Sequence, residues 1–302
     1  MRWVSYVSPV DGRERAGMLR DGAIHGVRAP LIDVLAHDGL ASVVDPVEIV
    51  PQADARLRAP VPSPPSIRDF MGFEEHVATS MRAIGREVDP VWYEIPVFYF
   101  TNPASVRGPR DPVEIAPGSA AFDYELEVAA VIGRPGADIP VDAAAEHIAG
   151  YTILCDWSAR DLQELEMRVG LGPAKGKDTA TSFGPWLVTP DELEDRRKGK
   201  GFELTMTASV NGTTYTTGNL ADLHWSFEQM ISFASRGTQL RTGDVIGSGT
   251  VGTGCILELS RVHGTESFPW LRPGDRVRVE VERLGSLEST VHPAHPVHPL
   301  WP

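Results

Sequence analysis

The sequence predicts a mostly β protein of the α+β class. Short extended segments set off by Gly and Pro recur along the chain, and helical periodicity is confined to a few brief stretches. No regular strand–helix alternation or internal repeat is present, which argues against a doubly wound parallel sheet.

Taken in order, Trp3-Val4-Ser5-Tyr6-Val7 reads as a strand closed by a turn near Asp11-Gly12. A second short pair around Asp21-Gly22 leads into a helical segment from Leu31 to Leu40. Pro46, Pro51, Pro60, Pro62, Pro64 and Pro65 then stiffen the chain and remove ladder donors, so this stretch reads as a linker, with a boundary near residue 60. Beyond it, Glu125 to Ile132, Gly150 to Cys155, Phe202 to Val210, Cys255 to Val262 and Asp275 to Leu284 read as extended. Asp222 to Ser235 is helical in pattern, with Leu223, Phe227, Met230, Ile231 and Ala234 on one face. Ser158 to Arg168, with Ser158 as N-cap, and Val141 to Ile148 are shorter helices. Ala78 to Val91 is charged and irregular, an expected lid over a pocket. His292, His295 and His298 alternate with Pro293, Pro296 and Pro299, the pattern of a polyproline II tail.

Lys and Arg number 28 against 41 Asp and Glu in 302 residues, a net charge of −13 that excludes a general nucleic-acid binder. Cys155 and Cys255 are too few for a disulfide framework and read as buried thiols. No leader-like apolar region opens the chain and no apolar run approaches the about 20 residues of a membrane span, so a cytoplasmic protein is expected.

Two motifs invite a nucleotide reading. Gly247-Ser-Gly249-Thr-Val-Gly252 matches G-x-G-x-x-G, but that fingerprint must open a helix, and the following Cys255-Ile-Leu-Glu-Leu259 reads as a strand. Gly176-Lys177 resembles a phosphate loop, yet Leu171 and Asp178 stand where a glycine and a hydroxyl residue belong.

The acidic residues carry more. In a strand, Glu125 and Glu127 project from one face, an arrangement that suits either a hard divalent cation or a solvated surface. Asp156 closes an apolar run ahead of Arg160 and Gln163, which share a helical face; this could be a metal-and-oxyanion arrangement or an i,i+4 ion pair of Asp156 with Arg160.

Five segments then stand in register: Asp69-Phe-Met-Gly-Phe-Glu-Glu-His76, Phe122-Asp-Tyr-Glu-Leu-Glu127, Asp156-Trp-Ser-Ala-Arg-Asp-Leu-Gln163, Gly176-Lys177 to Gly184-Pro-Trp186, and Gly247-Ser-Gly-Thr250 to Leu257-Glu-Leu259. From about residue 60 to 290 the chain resembles the fumarylacetoacetate hydrolase family. The resemblance implies a mixed β-roll of the fumarylacetoacetase C-terminal type, residues 61–302, with a His/Pro-rich tail. A small N-terminal β-rich domain and its linker, residues 1–60, precede it. It further implies a homodimer and a divalent cation, Mg²⁺ or else Mn²⁺ or Ca²⁺.

Position by position, it implies metal ligands at Asp69, Glu125, Glu127 and Asp156, and a general base at His76 oriented by Glu258. Arg160, Gln163 and Lys177 would contact the substrate or stabilise negative charge, and Tyr99, Thr181 and Thr250 would line the pocket. Asp69, placed seven residues before His76, resembles the four-carboxylate fumarylacetoacetase site more than the three-carboxylate acylpyruvase-like one. Ala180 stands where the former pattern has glycine, and the resemblance implies that its extra methyl would narrow the pocket.

The expected activity is metal-dependent hydrolysis of a C–C bond in a 1,3-diketone or acylpyruvate-like acid, a small anionic keto-acid. Histidine is a residue type suited to activating water, and Lys and Arg to holding an enolate. β-Keto-acid decarboxylation and dienoate isomerisation use the same parts; a non-catalytic metal-binding protein would not need base, lysine and all four acids together.

Overall fold

The computed structural model describes residues 1–37, 40, 45–83 and 85–301. Two sheets dominate it. The larger has 12 strands, running in space Glu48–Pro51, Ala23–Gly26, Glu14–Arg20, Arg2–Val7, Thr181–Val188, Ile148–Ala159, Phe122–Ile132, Val245–Gly247, Ile67–Phe70 and Phe98–Thr101, with two short strands attached off this path. The N-terminal strands thus join the sheet directly, through the antiparallel pairing of Arg2 with Val188 and Trp3 with Leu187. A second sheet orders Thr213–Asn219, Thr205–Val210, Arg276–Val281, Gly285–His292 and Val113–Glu114. The mostly β, α+β class expected from the sequence is what the chain adopts.

Strand Phe122–Ile132 explains the layering. It is buried along its whole length, and its residues alternate between two cores. Phe122, Tyr124, Leu126, Val128, Ala130 and Ile132 point into the larger core. That core also takes Met206, Ala208 and Val279 of the second sheet and Phe227, Met230 and Ile231 of a helix. Ala129 and Val131 face the other way, into a core built with Ile67, Leu154, Phe183, Trp3 and the helix α1 (Leu31–His37). Toward the start of the strand this second face turns acidic, at Glu127, Glu125 and Asp123. Neighbouring strands change in step, from Leu154 to Asp156 and from Ile67 to Asp69. The site lies where an apolar sheet face becomes a carboxylate face.

Four helices besides α1 carry site or core residues: α2 (Glu74–Arg82), α3 (Arg160–Arg168), α4 (Phe227–Ala234) and α5 (Ile256–His263). Several sequence expectations are corrected here. Cys255 to Val262 is not a strand; Ile256 to His263 is helical, with Ile256, Glu258, Leu259 and Ser260 turned inward. Ser158 is a strand residue, and α3 begins at Arg160 without a side-chain cap. Residues 78–82 of the supposed irregular segment belong to α2. The helix expected from Asp222 starts only at Phe227, where Ser226 and Gln229 form a reciprocal capping box. Phe202 to Val210 is broken between Gly201–Phe202 and Thr205–Val210. His292 pairs with Glu114 in a ladder and so is not part of a free tail with His295 and His298. Residues 38 and 39 of the expected Leu31–Leu40 helix lie outside the described residues. Cys155 and Cys255 are free and buried, and among the described residues no helix is long and apolar enough to cross a bilayer.

Candidate active site

Register places the acids. Glu125 lies opposite Asp156, Asp156 opposite Thr181, and Asp69 between Gly247 and Tyr99 on its two flanking strands. Carboxylate oxygens of Asp69, Glu127 and Asp156 all come within 4.8 Å of one another. Glycine makes the room. A Cβ on Gly247 would stand 2.4 Å from Asp69 Oδ1, and one on Gly252 2.4 Å from Glu75 Oε2. Gly249, at φ +76°, turns its amide to Glu127 Oε2 at 3.0 Å. The G-x-G-x-x-G run does open onto a helix, α5, contrary to the sequence expectation. Its glycines nevertheless clear space for carboxylates, whose charge would repel a pyrophosphate.

The cations are buried with the acids. Lys177 Nζ donates to Glu125 Oε2 and Asp156 Oδ2, both at 2.6 Å. Arg160 donates to Glu125 Oε1 at 2.7 Å and from Nη1 to Gln163 Oε1 at 3.1 Å. The alternative Asp156–Arg160 ion pair is therefore not formed; Arg160 pairs with Glu125 and Asp123. Glu125 has both oxygens engaged by cations and stands apart from the three-acid group. Tyr99 Oη lies 2.5 Å from Asp156 Oδ2 and 3.1 Å from Asp69 Oδ2, so its one proton is shared between the two carboxylates. Thr181 faces Asp156 across the ladder, whereas Thr250 spends its hydroxyl on the Leu126 carbonyl at 3.3 Å. His76 on α2 and Glu258 on α5 meet with Nδ1 3.0 Å from Oε2, the glutamate side chain fully buried.

Charge balance tests the site for a metal. Asp69, Glu125, Glu127 and Asp156 are buried against Lys177 and Arg160, so negative charge is in excess. Burial pushes Asp69 up; it pushes Glu127 well above the usual carboxylate range, with Asp69, Glu125 and Asp156 adding repulsion. Burial takes Asp156 up to about 7 despite the opposing pull of Lys177. On Glu125 burial is outweighed by Lys177 and Arg160, which hold it below the usual range. Among the described residues, Asp69 Oδ1, Glu127 Oε1 and Asp156 Oδ1 find no hydrogen-bond partner. Buried polar atoms are rarely left so; one such oxygen on each acid of a group whose carboxylates approach within 4.8 Å fits a hard divalent cation, which takes oxygen ligands.

The sequence reading missed Asp123. It shares the face of Glu125 and Glu127 by the same period-2 rule that singled those two out, and it pairs with Arg160 at 2.8 Å.

Comparison with known proteins follows the same lines. The family profile described as fumarylacetoacetate (FAA) hydrolase, C-terminal, matches residues 66–292. A Burkholderia multivorans relative, 31% identical over 298 residues covering 94% of this chain and 96% of its own, has a name that assigns it provisionally to the hydrolases. Among solved structures, fumarylacetoacetate hydrolase from Exiguobacterium antarcticum superposes with a TM-score of 0.76 at 28% identity, covering 98% of this chain and all of that one. The 5-carboxymethyl-2-hydroxymuconate delta-isomerase of Mycobacterium smegmatis does so at 0.73 and 27% identity, over 97% and 100%. With its profile, length and fold in agreement, the chain belongs to the fumarylacetoacetate hydrolase family.

Proposed function

We propose that the protein is a divalent-metal-dependent hydrolase that cleaves a C–C bond in a small anionic 1,3-diketone or acylpyruvate-like keto-acid. The observation that carries the reading is the close grouping of the Asp69, Glu127 and Asp156 carboxylates, each with one partnerless oxygen among the described residues, beside the buried Lys177. Asp69, Glu127 and Asp156 would hold the ion, with Glu125 held near them by Lys177 and Arg160. When bound, Mg²⁺, or Mn²⁺ or Ca²⁺ in its place, supplies polarisation of a keto oxygen and a two-oxygen anchor for the acid.

His76 accepts a proton from water as the water oxygen bonds to the carbonyl carbon, and Glu258 supports the imidazolium that results. The C–C bond breaks with its electron pair passing to the departing enolate, near Lys177 and Arg160, whose positive charge favours it. The imidazolium then returns the proton to the enolate carbon, giving a carboxylic acid and a ketone. Gln163 orients Arg160, and Tyr99 and Thr181 line the acid side of the pocket. A homodimer acting in the cytoplasm is the working form this reading takes.

A second reading, isomerisation of a dienoate, is favoured by the isomerase named among the structural neighbours and needs only the proton transfer at His76. Incubation with Mg²⁺ or Mn²⁺ and an acylpyruvate, a β-diketo acid, oxaloacetate and a hydroxydienedioate decides between them. Two organic products from the first pair support hydrolysis. Carbon dioxide from oxaloacetate, or a shifted dienoate spectrum without cleavage, replaces it.

A further inference from the structure

Asp123 has no exposure, and each of its oxygens accepts two hydrogen bonds. Oδ1 takes the amides of Tyr124 and Ile256, both at 2.8 Å, while Oδ2 takes the Leu257 amide at 3.0 Å and Arg160 Nε at 2.8 Å. Ile256 and Leu257 are the first two residues of α5, whose N-cap, Cys255, offers no side-chain cap. The first amides of a helix need an acceptor, and a carboxylate there also meets the positive end of the helix dipole. Here that acceptor comes from a residue 133 positions away in the chain. Glu258 is the next residue of the same turn, and the guanidinium held by Oδ2 continues to Glu125 and Gln163.

We propose that Asp123 is a positioning residue that fixes the start of α5, and hence Glu258 against His76, in a set relation to the Arg160 guanidinium. The inference rests on the roles given above to His76, Glu258 and Arg160. Asp123 touches no reactant and acts only through them. Its four partners are all donors, so the position takes a carboxylate set at this distance and not an amide: the asparagine NH2 would face either Leu257 and Arg160 or Tyr124 and Ile256.

The test uses the full chain with Mn²⁺, comparing Asp123→Asn with Asp123→Glu, which keeps the charge and displaces it by one methylene. In both, kcat on the substrate that the wild type turns over is expected to fall about 30-fold, with KM held within about threefold, as for loss of hydrogen bonds to a charged group. Mn²⁺ affinity is expected to stay within about threefold, because the ligand set is left intact. In a Glu258→Gln background the same substitution is expected to cost under about threefold more, since both changes act through one unit. Wild-type kcat in Asp123→Glu would mean that Asp123 only neutralises Arg160, and an undiminished loss in the Glu258→Gln background would mean that it does not act through the dyad; either overturns the proposal. Hydrogen exchange at Ile256 and Leu257, read on the resting protein, is expected to accelerate in Asp123→Asn, and unchanged protection there also overturns it. If that variant does not fold, Asp123→Glu carries the same exchange measurement. Absent turnover by the wild type refutes the functional reading and leaves the exchange result to decide on Asp123.

Discussion

Gly247→Ala is a one-methyl perturbation of the proposed cation site that leaves every acid in the sequence. The added Cβ would stand 2.4 Å from Asp69 Oδ1, 3.0 Å from its Cγ and 3.2 Å from Leu154 Cδ1. An ordinary contact needs roughly 1 Å more than the first of these, and Leu154 is packed in the core, so the carboxylate must give way. The overpacking is expected to cost about 1–3 kcal/mol of stability. A ligand moved by about 1 Å loses roughly 10²-fold in function, so Mn²⁺ affinity should fall by about that factor. Calorimetric titration of the apo protein with Mn²⁺ measures it. Gly133→Ala, whose Cβ would meet only Ala149 at 3.0 Å, serves as a control for destabilisation alone and should bind Mn²⁺ as the wild type does. Wild-type Mn²⁺ affinity in Gly247→Ala would refute the assignment of Asp69 as a ligand.

Glu258→Gln and His76→Ala should each lower kcat by about 10²–10⁴-fold while leaving Mn²⁺ affinity within about threefold; equal loss of metal binding would place the dyad in the metal site instead. Glu166 accepts the amides of Ala174, Lys175 and Gly176 just ahead of Lys177. Burial raises this carboxyl, but those amides outweigh it and hold it below its usual range. A depressed folded value means the loop is held above the ordinary glutamate range near about 4.3 and released as pH falls through the folded value, so exchange of residues 174–177 should rise on acidification and already be high in Glu166→Ala. Mn²⁺ at about 100 times its dissociation constant should add about 2.7 kcal/mol, raising the melting temperature by roughly 5 °C, and chelation should reverse it. A melting temperature indifferent to metal and chelator would exclude a resident cation.

How far the sequence could be read depended on whether the cause of each element was local. The stretch from Glu125 to Ile132 announced itself as a strand, because alternation set Glu125 and Glu127 on one face and Leu126 and Val128 on the other. Arg276–Val281 likewise alternates exposed and buried positions along its length. Helix α5 did not, since Cys-Ile-Leu-Glu-Leu carries no capping residue and reads by type as a strand. The cap it lacks locally comes from the carboxylate of Asp123, distant in sequence, which accepts its first two amides. Ser158 misled for the converse reason: it has the composition of an N-cap, but its backbone is claimed by the ladder opposite Asp123. The glycines at 247, 249 and 252 were visible as a motif, yet their use is legible only once Asp69 and Glu75 are brought against the first and last and Glu127 accepts the amide of Gly249.

The two halves of the site also differ in how they are anchored. Asp69, Glu125, Glu127 and Asp156 project from inner strands of the 12-stranded sheet, the part of a protein that opens only when the whole molecule does. His76 sits on a nine-residue helix, and Lys177 follows a loop tethered by Glu166. Fluctuations too small to unfold the chain would therefore displace α2, which carries the proposed base, and the loop before Lys177 more readily than the acids. The cation site would persist through local openings that interrupt catalysis, and changes in the chemistry performed would be easiest to make in α2 and the loop before Lys177, with the sheet left as it is.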